Sequence, residues 1–162
     1  MSSKHFLITL LFVAFQVANG QDRGECIDDT QEHIQFLKDF YTEYLSRPDV
    51  TNHENRMNLL RKYNTSELID TIMEMWKNME LDYDPFIFAQ DILPKIVLNH
   101  IKIEKYEKQK NIYLMSYPHD FHVEVGIKYI KLEVMNTDEG YKISDIISVY
   151  DPEVGLHFPL GR

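Results

Sequence analysis

Apolar residues in the first half of the chain recur at the spacing of an α-helix. From Ile34 to Leu45 they return every three or four positions, which gives one continuous stripe along a helical surface. Asp29 can cap the start of this helix with Glu32 three residues further on, and Arg47-Pro48 predicts its end. The pattern therefore predicts an amphipathic helix between Asp29 and Arg47.

Two further helices are predicted before residue 95. A weaker apolar pattern covers about residues 54–63. The next segment is clearer, because Asn64 can cap a helix and Glu67 stands where a capping box needs an acid. Its broad apolar face consists of Leu68, Ile69, Ile72, Met73, Trp76 and Met79.

After residue 95 the pattern changes to that of β-strands. Apolar and polar residues alternate, and short loops carrying Asn, Asp, Gly or Pro separate the alternating segments. Such short connections favour an antiparallel meander. The predicted strands cover about residues 95–104, 112–117, 121–135 and 141–149.

The third predicted strand contains a change of phase. From Phe121 to Tyr129 the apolar residues occupy odd-numbered positions, whereas Ile130, Leu132 and Val134 occupy even-numbered positions. A slip of one residue moves side chains to the other face of a sheet, so it predicts a β-bulge, with Gly126 nearby to ease the bend.

Helices followed by an antiparallel sheet indicate the α+β class. We predict three N-terminal helices packed on a curved four-stranded antiparallel meander, which together form a cone. The predicted organisation is a signal peptide at 1–20, a mobile segment at 21–30, one domain at 31–149, and a tail at 150–162 that is packed on the sheet or free.

The N-terminus has the parts of a secretory signal peptide. Lys4 gives a positive start, and the apolar run that follows is shorter than the roughly 20 residues that cross a bilayer. Ala18-Asn19-Gly20 offers small residues at a cleavage site. We therefore predict an exported protein, periplasmic or secreted, without stable membrane insertion.

Charge and cysteine content narrow the classes of partner. The chain has 26 acidic against 17 basic residues, a formal net charge of −9, which disfavours nucleic acid and favours a basic or neutral partner. Cys26 is the only cysteine, so an internal disulfide is excluded and pairing with a second chain stays open.

Five segments, taken in order, resemble the bacterial family called domain of unknown function 3828. They are FLKDFYTEYL, LLRKYNTSELIDTI, DYDPFIFAQD, GIKYIKLEV and YKISDI, between Phe36 and Ile146. The chain more widely resembles the nuclear transport factor 2-like (cystatin-like) superfamily. The resemblance implies a small exported bacterial protein with a cone-shaped fold and no established reaction, and it supplies no catalytic residues.

The segment DYDPFIFAQD carries acids around an aromatic run. Asp82, Asp84 and Asp91 could offer oxygen ligands to calcium, but calcium loops usually turn at a glycine and this segment has none. The alternative is a structural joint, in which Pro85 starts a short helix capped by Asp84 and Phe86 plugs the open end of the cone. We favour the joint, which would also form one wall of a cavity.

The last strand adds an acid to this cavity. Odd positions from Tyr141 to Val149 share one strand face, so Asp145 falls among apolar residues, where burial would raise its pKa as a general base requires. A buried aspartate bonded to backbone or tyrosine hydroxyls is the commoner arrangement. We predict no catalytic residue, no metal and no cofactor. The candidate pocket residues are Tyr83, Phe86, Gln90, Asp91 and Asp145.

A zinc site at Pro118 to His122 is also conceivable. His119, Asp120 and His122 could supply ligands, but no further cysteine or histidine is placed to complete the set. We interpret these residues as parts of a hairpin turn.

Three functions fit the sequence. The first is a non-enzymatic binding module of the bacterial cell envelope that holds a small ligand or peptide in its cone. The second is an immunity or inhibitor-type protein that binds a basic protein partner, and the third is a small lyase or isomerase with Asp145 as base. An open cavity favours the first or third, whereas a cone filled by side chains favours the second.

Overall fold

The computed structural model describes most of the chain between residues 29 and 150. The described ranges are 29–46, 53–81, 83–88, 94–107, 109–118 and 127–150. Several predictions concern residues outside these ranges. They are the signal peptide, the mobile segment before Asp29 with Cys26, the zinc candidate beyond Pro118, and the tail after Tyr150. Gln90 and Asp91 are also outside them.

The three predicted helices are present. They are α1 at Thr30–Ser46, α2 at His53–Tyr63 and α3 at Ser66–Lys77. The apolar stripe of α1 faces the core, where Leu37, Phe40 and Tyr41 are fully buried. The period of apolar residues alone was therefore enough to identify this helix.

A fourth helix replaces the first part of a predicted strand. Helix α4 covers Pro94–His100, and strand β1 is only Lys102–Lys105, so the prediction of one strand over residues 95–104 is wrong. Pro94 occupies the first helical position, where its missing N–H costs nothing. Val97, which is buried, and Ile101 lie four residues apart, on one face of a helix. A short apolar run fits either structure, and here the helix is observed.

The sheet is an antiparallel meander in the order β1-β2-β3-β4. The remaining strands are β2 at Ile112–Pro118, β3 at Ile127–Thr137 and β4 at Gly140–Tyr150. Helices α1, α2, α3 and α4 all pack against strands of this sheet. The chain thus has the predicted α+β fold, with helices packed against a four-stranded antiparallel sheet.

The inner face of the sheet forms the core with the helices. Its apolar side chains are each at most 8% exposed. They are Ile103, Tyr113, Met115, Tyr117, Ile130, Leu132, Val134, Ile143 and Ile146. Within the described residues, the side of the sheet that faces the helices is therefore filled by side chains of the protein itself.

The pairing of β3 with β4 is irregular, and the extra residues are on β4. The bulge predicted in the third strand near Gly126 is not this feature, because residues 119–126 lie outside the described ranges and β3 has no extra residue between Ile127 and Thr137. Val134 pairs with Ile143 but Glu133 pairs with Asp145, so Ser144 is an unpaired extra residue. A second shift between Lys131 and Leu132 leaves out one more residue of β4. Two bulges of this kind change which side chains of β4 face the core.

The start of α3 differs by one residue from the prediction. Its N-cap is Thr65, whose hydroxyl accepts the backbone N–H of Leu68 at 3.3 Å. Asn64 instead donates from Nδ2 to the carbonyl of Leu60 at 2.9 Å, at the end of α2. The backbone N–H of Thr65 donates to the carbonyl of Ile143 at 3.0 Å, which ties this junction to β4. The prediction of Asn64 as the cap is therefore wrong, because its side chain bonds the carbonyl four residues back in α2.

Helix α3 ends at a residue with left-handed backbone. Met79 has φ 58°, and its N–H donates to the carbonyl of Trp76 while the N–H of Glu80 donates to Met75. This is a Schellman motif, in which glycine is the usual residue at the left-handed position. Met79 is also 89% exposed, so its side chain adds little packing to offset the backbone cost.

Met79→Gly is expected to raise the free energy of unfolding by about 0.5–1 kcal/mol, since the left-handed penalty exceeds the entropy cost of glycine. Urea unfolding measures the change. Lys77→Gly, within the helix, is the control and should lower stability by about 1 kcal/mol. A loss of stability in both variants would contradict the assigned backbone strain at Met79.

Candidate functional site

The DYDPFIF segment is held by a polar cluster around Asp84. Asp84 Oδ2 accepts the hydroxyl of Tyr44 and Nη2 of Arg56, the latter at 3.1 Å. Its other oxygen, Oδ1, accepts the backbone N–H of Phe86 at 3.0 Å. The guanidinium of Arg56 also lies over the ring of Trp76, 5.0 Å from the centroid. Both carboxylate oxygens are therefore engaged by α1, α2 and the segment itself.

Burial dominates the electrostatics of this cluster. It raises the pKa of the Asp84 carboxyl, against the opposing effects of Tyr44 and Arg56. Burial, and next the Asp84 charge, also raise the pKa of Tyr44 well above its ordinary value. A tyrosine and an arginine that share one carboxylate in this way cross-link α1 and α2 to the segment.

Three successive carbonyls of the segment are each anchored by a different element. The hydroxyl of Tyr41 in α1 donates to the carbonyl of Phe86 at 2.9 Å, and Tyr117 in β2 donates to that of Ile87. Lys128 in β3 donates from Nζ to the carbonyl of Phe88 at 2.9 Å. The loop backbone is thereby fixed to the helical layer and to the sheet.

The segment turns without forming the short helix expected at Pro85. The N–H of Ile87 donates to the carbonyl of Asp84 at 3.3 Å, which closes a turn around Pro85. Asp84 still bonds the N–H two residues on, as a side chain does at the start of a turn. The observed contacts support the interpretation of a structural joint.

Of the residues proposed for a pocket, the structure describes Tyr83, Phe86 and Asp145, and it does not bring these three together. Phe86 is fully buried against the rings of Phe40 and Tyr44, and Tyr83 stacks edge-on with Phe88 at 4.7 Å. Asp145 lies across from Glu133, whose neighbours Leu132 and Val134 face the core.

Asp145 therefore lies on the outer face of the sheet. Directly paired residues of an antiparallel ladder point to the same side, so Asp145 shares the outer face with Glu133. The expectation that it shares a face with Ile143 is wrong, because the bulge at Ser144 shifts the phase by one residue. The Ser144 hydroxyl donates to Oε2 of Glu133 at 2.9 Å. Phe86 and Asp145 thus lie on opposite sides of the sheet.

A small polar cavity lies where α1 begins beside the β1–β2 hairpin. Its volume is about 260 Å³. His33, Lys105, Lys110, Asn111, Tyr113 and Asn136 contribute to its walls. His33 Nδ1 and the Tyr113 hydroxyl are 2.7 Å apart, and Lys105 donates to the hydroxyl of Thr30 at 2.6 Å.

A larger, more open groove of about 660 Å³ runs between the α2–α3 junction and the β3–β4 hairpin. We call it the hairpin groove. Its walls include Arg61, Asn64, Glu67, Met135, Asp138 and Glu139. No sequence pattern marks these residues as one site, and the acidic turn at residues 138–139 is the single signal that points to it.

Neither a metal cluster nor a membrane span is found in the described ranges. No three side chains of His, Cys, Asp or Glu lie close enough there to hold a metal ion. None of the helices described is both long and apolar enough to span a membrane.

Comparison with known proteins gives a fold relationship. No protein-family model matches the sequence, and no curated protein matches it either. A protein of unknown function from Bacteroides thetaiotaomicron, known from a crystal structure, has a similar structure with a TM-score of 0.60 and 24% sequence identity. The similarity covers 72% of this chain and 89% of the other. It is consistent with the α+β fold, while the resemblance to the family of domain of unknown function 3828 stays a prediction.

Proposed function

We propose that the protein is an exported, non-enzymatic binding protein that recognises a basic protein partner through its outer surface. The observation that carries the proposal is the filled inner face of the sheet, where the apolar side chains are at most 8% exposed. A filled interior leaves recognition to the surface in the part of the chain that is described. An inhibitor or immunity role toward a basic secreted protein is one form of this function.

The distribution of charge supports a basic partner. The net charge is −9, and α3 exposes Glu67, Asp70 and Glu74 along one side. Residues three and four apart are neighbours on a helix surface, so these three acids form a ridge. The acidic turn at Asp138 and Glu139 is exposed as well. Complementary charge of this kind speeds association and selects among partners.

The position of the acids gives no support to the catalytic alternative. Asp84 is held on both oxygens within a structural joint, and Asp145 lies on the outer face beside Glu133. A general base needs a carboxylate that faces a substrate cavity. The enzyme hypothesis based on Asp145 therefore loses the burial on which it depended.

Selection from a displayed random-peptide library tests the proposal. The exported chain, residues 21–162, is expected to enrich peptides of net positive charge whose affinity falls as salt is added, because exposed charges are screened. Enrichment of neutral or acidic peptides, or affinity that salt does not change, would contradict a basic partner.

The polar cavity at the start of α1 favours a second candidate function, the binding of a small polar molecule. Two lysines and two asparagines line a space of about 260 Å³, which offers charge and hydrogen bonds at the scale of a metabolite. A thermal-shift screen with small carboxylates, phosphates and amino acids tests it. A concentration-dependent rise in the melting temperature supports this candidate, and an unchanged melting temperature with every compound counts against it.

A further inference from the structure

One residue that lines the hairpin groove carries a buried hydrogen-bond acceptor without a donor. Asn64 lines the groove and is 2% exposed, and its Nδ2 is engaged by the carbonyl of Leu60. Its Oδ1 is buried and has no hydrogen-bond partner in the described structure. Buried polar atoms are nearly always paired, so an unpaired one calls for an explanation. A bound ligand with N–H groups would explain it, because the ligand would donate the missing hydrogen bond.

Carboxylates line the same groove as Asn64. Glu67 is exposed in the first turn of α3, and Asp138 is exposed at the tip of the hairpin. Glu67 offsets the positive end of the α3 dipole, which would otherwise oppose a bound cation. The groove therefore offers acceptors from two separate elements on its opposite walls.

The cations of the groove are of two kinds. Lys142 is held in place, since its Nζ donates to the carbonyls of Arg61 and Lys62 and pairs with Glu139 at 3.2 Å. Lys142 thereby satisfies carbonyls in the last turn of α2, which have no hydrogen-bond donor within the helix. Arg61 is an exposed residue of the groove wall, and its charge would oppose another cation.

An apolar surface accompanies the acceptors. Met135 lines the groove and is 41% exposed, so its side chain is available for contact. Methionine is flexible and adapts to what packs against it. Long basic side chains place their methylene stems on such surfaces while the charged head group stays in a polar environment.

We infer that the hairpin groove binds an arginine side chain of the basic partner, an inference that rests on the proposed function. The methylene stem packs on Met135, and the guanidinium donates to Glu67, Asp138 and Oδ1 of Asn64. A guanidinium suits this arrangement because it presents five donors in a rigid plane to several acceptors at once.

An NMR titration tests the inference. The probe is the capped tripeptide Ac-Leu-Arg-Leu-NH2, added to isotopically labelled protein comprising residues 21–162. Amide shifts are expected at residues 64–69 and 135–142. The neutral analogue with citrulline in place of arginine should bind at least about fivefold more weakly, because charge-assisted hydrogen bonds are lost.

Matched variants separate the groove from general charge. The double variant Glu67→Gln, Asp138→Asn should weaken binding of the arginine peptide by about fivefold or more. The double variant Glu104→Gln, Glu107→Gln, in and just after β1 at the sheet edge opposite β4, removes the same charge and should change binding less than about twofold. Arg61→Gln should strengthen binding. All these residues are exposed, and an unchanged amide spectrum elsewhere verifies the fold.

The outcomes distinguish this inference from the proposed function. Equal binding of the citrulline peptide, equal effects of the groove variant and of the Glu104→Gln, Glu107→Gln control, or no binding of the arginine peptide overturns the groove assignment. Shifts that map to another acidic surface also overturn it and leave the proposed function standing. The proposed function itself falls if the library selection returns no basic sequences, or if the affinity of the selected peptides does not change with salt.

Discussion

Replacement of Phe86 by alanine is expected to lower the free energy of unfolding by about 3–5 kcal/mol, the range observed when a buried phenylalanine is truncated. Phe86 is fully buried, and the rings of Phe40 and Tyr44 lie 5.2 and 5.5 Å from it, centroid to centroid. The loss combines the transfer of the ring from the core with the cavity left behind. Urea unfolding of the variant and the wild type measures it.

The control for this prediction is Met79→Ala. Met79 is 89% exposed, so its truncation should change stability by no more than about 0.5 kcal/mol. If Phe86→Ala also cost less than about 1 kcal/mol, Phe86 would not be a core residue. The segment would then again be a candidate wall of an open cavity.

Asp84→Ala is expected to lower stability by about 3 kcal/mol. The loss of a buried charge partner typically costs about 3–5 kcal/mol, and the lower end applies because the side chains of Arg56 and Asp84 are 29% and 18% exposed. The variant leaves the hydroxyl of Tyr44 without its acceptor and the N–H of Phe86 without its cap. Asp70→Ala, an exposed acid on α3, is the control and should be nearly neutral.

The contribution of Asp84 also predicts a pH dependence. Burial raises the pKa of the Asp84 carboxyl in the folded protein above its ordinary value of 3.8. The folded state therefore binds the carboxyl proton of Asp84 more tightly than the unfolded state does. The contribution of this proton binding to stability is fully present below pH 3.8, and it is lost as the pH rises through the folded pKa.

Urea unfolding of the wild type and of Asp84→Asn at a series of pH values isolates the contribution of Asp84. The contributions of the other titratable groups cancel in the difference between the two proteins. As the pH rises through the window above 3.8, the difference in stability should shift against the wild type. A shift in the opposite direction would mean that Arg56 and Tyr44, rather than burial, dominate the pKa of Asp84.

The sequence was sufficient where local pattern decides structure. The periodicity of apolar residues identified α1, and the alternation at Ile130, Leu132 and Val134 identified the side chains of β3 that face the core. These elements are long relative to their period, so few alternative structures fit them. The order of helices before strands then gave the α+β class.

The sequence was insufficient where distant contacts decide structure. The last strand alternates so regularly that its sequence predicts one face for Asp145 and Ile143, and only the pairing with β3 reveals the bulge at Ser144. Asp84 was recognised as a cap, but Tyr44 and Arg56 are 40 and 28 residues away in sequence. No local pattern indicates such partners.

The candidate groove shows the same limit. Glu67 belongs to α3 and Asp138 to the hairpin, so their approach depends on how the α2–α3 junction docks on β4. The acceptor on Asn64 was interpreted from sequence as a helix cap, because its unpaired state arises from the contact with Leu60. A charge pattern could indicate an acidic surface but not a groove.

Recognition of a basic partner by the outer surface is tested most directly by hydrogen exchange of residues 21–162, with and without a peptide recovered from the library selection. The account predicts slower exchange in α3 and the β3–β4 hairpin, with unchanged exchange in β2, whose apolar side chains already fill the core. Protection confined to β2 and the segment at residues 83–88 would contradict it, because the ligand would then occupy the interior.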